Sequence, residues 1–106
     1  MGWIYLLLAG LTEIGWPLGM KIAQESSTKW PGLLMAVFFL ITSGVLLWLA
    51  QRDIPMGTAY AVWTGIGAAG TFMIGVMFFN DPASLIRYLG ILLIISGVVV
   101  LKLAHE

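Results

Sequence analysis

One acidic residue in this chain stands inside a long apolar stretch. Glu13 is the only charged residue between Gly2 and Met20. A carboxylate at the centre of a lipid bilayer costs about 2.5–3.5 kcal/mol on insertion scales, so an acid kept there is a functional candidate by default. Lys21 lies eight residues further on. At about 1.5 Å of rise per helical residue that is roughly 12 Å along the axis, too far for a local ion pair. Low dielectric disfavours an unpaired ionised carboxyl. A proton and an organic cation are then alternative ways of neutralising it, and exchanging one for the other is the core of cation/proton antiport.

The residues around Glu13 fit a binding site. On a helix, Gly10, Glu13, Trp16 and Pro17 share one face at i−3, i, i+3 and i+4. Gly10 is expected to leave room above the carboxyl. Trp16 offers an indole N–H and a ring face. Pro17 has no N–H for the carbonyl of Glu13, so that carbonyl is freed and the helix is expected to kink. A second cluster runs from Tyr60 to Gly67. Tyr60, Trp63 and Thr64 fall on one face, and aromatic faces attract cations. Gly65 and Gly67 (with Gly70 beyond them) are expected to let their helix flex, although close helix packing accounts for such glycines equally well. Ser43 is a mid-span hydroxyl that can reach Glu13 or bond back to its own helix. Gly90 and Gly97, seven residues apart, form a seam suited to a dimer contact or to an intramolecular one.

These residues need elements to hold them, and composition says which kind. Of 106 residues, 60% are hydrophobic and 9% charged, with five Lys/Arg against five Asp/Glu. Soluble domains carry about 25% charged residues. Soluble enzymes, disordered chains and basic nucleic-acid binders are excluded on that ground. There is no cysteine, and the single histidine, His105, is penultimate, so neither a disulfide framework nor a metal site is expected. No cofactor is expected either.

Four apolar stretches, near 3–22, 31–50, 56–79 and 84–103, are long enough to cross a hydrocarbon core of roughly 30 Å as helices. Transmembrane strands would alternate apolar and polar residues, and these stretches do not. Pro31, Pro55 and Asn80-Asp81-Pro82 punctuate them, and Ser84 is expected to be an N-cap. The reading is an all-α membrane protein, residues 1–106 forming a single four-helix transmembrane domain. Glu13 and the lack of a basic leading segment argue against a cleaved signal peptide.

With four spans, Arg52 and Lys102 fall on one side of the membrane, and Lys21, Lys29 and Arg87 on the other. Two against three is too little bias for the positive-inside rule to choose an orientation. Dual insertion is expected. Four helices also leave little interior for a polar pathway. Two oppositely inserted copies would form an inverted repeat, a common basis for alternating access.

Over essentially its whole length the chain resembles the small multidrug resistance family, and within it the guanidinium exporter subtype. The run from Pro55 to Ala68, PMGTAYAVWTGIGA, carries the resemblance most closely; Gly10–Trp16 with Lys21, and Gly97–Lys102, carry it more loosely. The resemblance implies an antiparallel homodimer in the bacterial cytoplasmic (inner) membrane that exports guanidinium-type cations in exchange for protons. It implies that Glu13 binds substrate and proton competitively, with Trp16, Ser43, Tyr60 and Trp63 lining the pocket and Gly10 giving space. Members usually have a small residue such as Ala where this chain has Pro17, and a different first loop. Those departures leave a heterodimer open as well. Alternatives are a broader exporter of quaternary ammonium ions and, from another class, a non-transporting membrane assembly subunit.

Overall fold

The computed structural model describes residues 1–104; His105 and Glu106 lie outside them. The first apolar stretch is two helices end to end, α1 (Gly2–Glu13) and α2 (Gly15–Glu25). The others are single helices: α3 (Trp30–Ala50), α4 (Met56–Phe78) and α5 (Leu85–Ala104). Taken together, α1 and α2 span 24 residues, and each of α3 to α5 is also long and apolar enough to cross a membrane. No strand occurs among the described residues. In hydrocarbon the backbone must satisfy its own polar groups, and helices do so within one segment. The chain is an all-α protein with four helices of membrane-spanning length.

The break between α1 and α2 falls at Ile14. Its N–H reaches back three residues to the Leu11 carbonyl at 3.3 Å, and its own carbonyl accepts from Leu18 N–H at 3.2 Å. Pro17, three residues on, supplies no N–H to continue the ladder. Ile14 itself keeps helical angles, φ −63° and ψ −32°, so the two helices run on as one span. The remaining connections are short. Pro31 sits in the first turn of α3. Asn80, at φ 57°, turns the chain after α4, and Ser84 Oγ accepts from Arg87 N–H at 3.3 Å at the start of α5.

Helix α1 packs between α3 and α4, α2 lies against α3, and α5 touches α4. The contacts are made by small residues. Gly19 and Gly32 meet backbone to backbone where α2 crosses α3, and a Cβ on Gly32 would lie 2.6 Å from Ala23 N. Small residues are what bring helices together in lipid, where no hydrophobic force separates helix from tail. The tightest apolar cluster is Leu6, Ala50, Ile54, Ala59 and Val62, with Trp3, Trp63 and Val98 against it. Cations sit over aromatic rings near the span ends: Lys102 over Trp3, Lys29 over Trp30 and Arg52 over Trp48.

The protomer measures 48 × 34 × 16 Å. The helices form a flat slab, and α5 has no buried residue at all.

Candidate functional site

Glu13 is the last residue of α1, half-buried, and faces both α3 and α4. From α3, Ser43 is fully buried and is the only buried polar or charged residue among those described. Its hydroxyl lies 2.8 Å from the Ala9 carbonyl and 3.2 Å from Glu13 Oε1. From α4, Trp63 donates its indole N–H to Ser43 Oγ at 2.8 Å. A hydroxyl has one proton and two lone pairs. Accepting from Trp63, it donates to Ala9 or to Glu13 or shares its proton between them. Three helices are thus tied to one carboxyl through one serine.

The carboxyl fits because α4 has no side chain in its way. A Cβ on Gly67 would lie 2.5 Å from Glu13 Cγ. No cation among the described residues pairs with Glu13; Lys21 binds Glu25 at 3.5 Å on the exposed rim. Beside Glu13 opens a cleft of about 470 Å³, walled by Pro17 on α2, Thr64, Gly67, Ala68, Thr71 and Phe72 on α4, and Ile91 on α5. A second cavity of about 200 Å³ shares Pro17 and Thr71 with it and ends at Lys21, Phe79 and Asp81.

The expected site residues divide between these features. Glu13, Ser43 and Trp63 come together in one hydrogen-bonded group. Ser43 does not bond back to its own helix; the neighbouring Thr42 does, to the Phe38 carbonyl at 2.9 Å. Tyr60 is 57% exposed on the slab surface, and its ring lies 5.5 Å from that of Trp63. Trp16 is not part of that hydrogen-bonded group: its Nε1 is buried and has no hydrogen-bond acceptor among the described residues. Gly10 is filled from α4, since a Cβ there would lie 2.7 Å from Ile66 Cβ. Its place is a helix contact, not open space over the carboxyl. Gly65 likewise receives Val98 of α5, whose Cγ2 lies 2.7 Å from the place a Cβ would take, and α4 runs unbroken through both Gly65 and Gly67. Gly90 and Gly97 face open space.

Sequence reasoning missed the Ala9 carbonyl, the Ile66 contact and the far wall of the cleft at Thr71, Phe72 and Ile91. The position of Thr71 one heptad after Thr64 was the available signal for that wall; nothing in the residue types marks a main-chain carbonyl as an acceptor.

This arrangement can hold a compact cation: an acid without a counter-ion among the described residues, a donor network that orients it, and an aromatic-edged cleft. The comparisons with known proteins agree in kind. A protein of Yersinia pseudotuberculosis serotype I (strain IP32953) named "Guanidinium exporter" is 44% identical over 104 residues, covering 98% of this chain and 99% of its own length. Proteins of the same name from Citrobacter freundii and Salmonella typhimurium are each 40% identical over 104 residues, covering 98% of both chains. The family model described as Small Multidrug Resistance protein matches residues 1–94. With so long a match, the chain belongs to the small multidrug resistance family.

Proposed function

We propose that this multi-pass membrane protein is a proton-coupled antiporter, not an enzyme, which exports guanidinium and small substituted guanidinium ions by alternating access. The observation that carries this reading is a carboxyl inside a membrane span, held by Ser43 and Trp63, with no cation beside it among the described residues. The relatives named for guanidinium export support it. Guanidinium is planar, its parallel N–H groups match a carboxylate bidentately, and aromatic rings stack on its face. Tyr60 and Trp63 offer such rings.

The working unit in this reading is an antiparallel dimer in the bacterial inner membrane. Four helices in a thin slab leave little interior for a polar pathway, whereas two slabs face to face enclose one. The open seam at Gly90 and Gly97 on the unburied α5 is the proposed dimer contact. Both copies of Glu13 then line one central site with Trp16, Ser43, Tyr60 and Trp63, and Gly65 and Gly67 let α4 bend between the two open states.

The experiment is proton-coupled uptake into liposomes against guanidinium, methylguanidinium and tetramethylammonium. Guanidinium and methylguanidinium are expected to drive proton movement, with tetramethylammonium much poorer. Equal movement of all three would favour the second reading, a broad quaternary ammonium exporter, for which the apolar cleft wall at Phe72 and Ile91 is the supporting feature. No proton movement with any cation would remove the transport reading.

A further inference from the structure

We propose that the main-chain carbonyl of Glu13 is a second acceptor for substrate, released for that role by Pro17. One residue then presents two kinds of oxygen to the cation, a carboxylate and a carbonyl. This inference rests on the reading of Glu13 as the substrate carboxylate and adds to it the feature that selects N–H-bearing cations.

In an α-helix the carbonyl of residue i accepts from the N–H of residue i+4. For Glu13 that partner is residue 17, a proline, which has no N–H and whose ring pushes the carbonyl off the axis. Of the donors on either side, Ile14 N–H goes to Leu11 and Leu18 N–H to Ile14. The hydroxyl protons of Thr12, Ser43 and Thr64 are placed on other acceptors. Thr12 bonds to Leu8 and Ala9, Ser43 to Ala9 and Glu13 Oε1, and Thr64 to Tyr60 and Ala61. None of the hydroxyl bonds among the described residues ends on the Glu13 carbonyl. Because Ile14 keeps helical angles, Glu13 and Pro17 stay on one face, and both wall the cleft of about 470 Å³.

A carbonyl freed at membrane depth is expensive unless something donates to it. Guanidinium has more N–H groups than one carboxylate can accept, because a bidentate pair uses only two. Its remaining donors need acceptors close by: the cleft hydroxyls of Thr64 and Thr71 keep lone pairs for this, and the Glu13 carbonyl, in the same residue as the carboxylate, is a further one. The orphan carbonyl and the surplus donors satisfy each other. A fully alkylated cation has no N–H to offer and gains no such bond.

The test compares guanidinium with hexamethylguanidinium, a delocalised cation of the same charge without N–H groups, on full-length protein reconstituted in liposomes. Pro17→Ala returns an N–H to the Glu13 carbonyl. The expected result is a fall of about tenfold in the affinity ratio of guanidinium over hexamethylguanidinium, the loss of one charge-assisted hydrogen bond. An equal fall for both cations, or an unchanged ratio, overturns the inference and leaves Pro17 a purely architectural residue. A second measurement needs no variant. The carbonyl ¹³C resonance of Glu13 in the unaltered protein should shift on adding guanidinium and stay still with hexamethylguanidinium; no shift with guanidinium also overturns the inference. Glu13→Gln separates this from the underlying reading. If that variant binds guanidinium normally, the site itself is misplaced. If it loses binding while Pro17→Ala keeps the ratio, only the carbonyl is excluded.

Discussion

Ser43 Oγ stands 3.2 Å from Glu13 Oε1 and 2.8 Å from the Ala9 carbonyl, and accepts from Trp63 Nε1 at 2.8 Å. Its single proton is therefore contested by two acceptors. When the carboxyl is ionised, the charge draws the hydroxyl towards Glu13; when a proton sits there, the Ala9 carbonyl is the better partner. Ser43→Ala removes the hydroxyl and leaves the Trp63 indole N–H without its acceptor. A lost partner of this kind costs about 1–3 kcal/mol. The variant should show a lower unfolding temperature in detergent and a several-fold weaker guanidinium affinity, with transport reduced but present. Unchanged affinity in a destabilised protein would confine Ser43 to holding the helices.

If proton and cation compete for Glu13 as proposed, that competition sets the pH dependence of binding. As pH falls, protons occupy the carboxyl and apparent guanidinium affinity should weaken; as pH rises, affinity should climb and level off. Binding measured by calorimetry from mildly acid to mildly alkaline conditions reads this directly, and a flat profile contradicts competition. Glu13→Gln should bind no guanidinium at any pH while remaining folded, because the amide removes a charge that is costly to insert. Glu13→Asp keeps the charge but withdraws it by one methylene, so binding should persist with a displaced pH profile.

Gly67 is where α4 yields to the carboxyl. With Glu13 Cγ 2.5 Å from the place a Cβ would take, Gly67→Ala must displace the Glu13 side chain or part α4 from α1, and is expected to weaken the bond to Ser43. Overpacking of this kind costs typically about 1–3 kcal/mol. Guanidinium affinity should fall at least as much as stability. Gly57→Ala makes the control, since nothing lies within 4 Å of it on the same helix. Equal behaviour of the two variants would remove the special role of Gly67.

Insertion in both orientations is expected from the near balance of Arg52 and Lys102 against Lys21, Lys29 and Arg87. Accessibility tags at the C-terminus should report both sides of the membrane. Two lysines added to the connection between α3 and α4 should lock one topology and abolish transport. Co-expression with an oppositely biased copy should restore it. A tag seen on one side only would rule out the antiparallel homodimer.

Much of this protein was written in one dimension. The rarity of charge and the lengths of the apolar stretches determined four membrane-length helices, because a bilayer accepts few other arrangements of backbone. The same rarity singled out Glu13: in an apolar run an acid is conspicuous without any partner being known. Pro17 announced the interruption after Glu13, since its missing N–H is a local property of the chain. What only the tertiary structure decided is which groups meet. Whether Ser43 bonds to its own helix or to Glu13 depends on how α3 is rotated against α1, and helix rotation is set by packing across the whole contact. The same holds for the glycines. Gly10, Gly65, Gly67 and Gly97 look alike in the sequence, yet Gly10 holds Ile66, Gly65 holds Val98, Gly67 admits Glu13, and Gly97 faces open space. A residue without a side chain carries no record of its neighbour, so only the neighbour's position reveals its purpose.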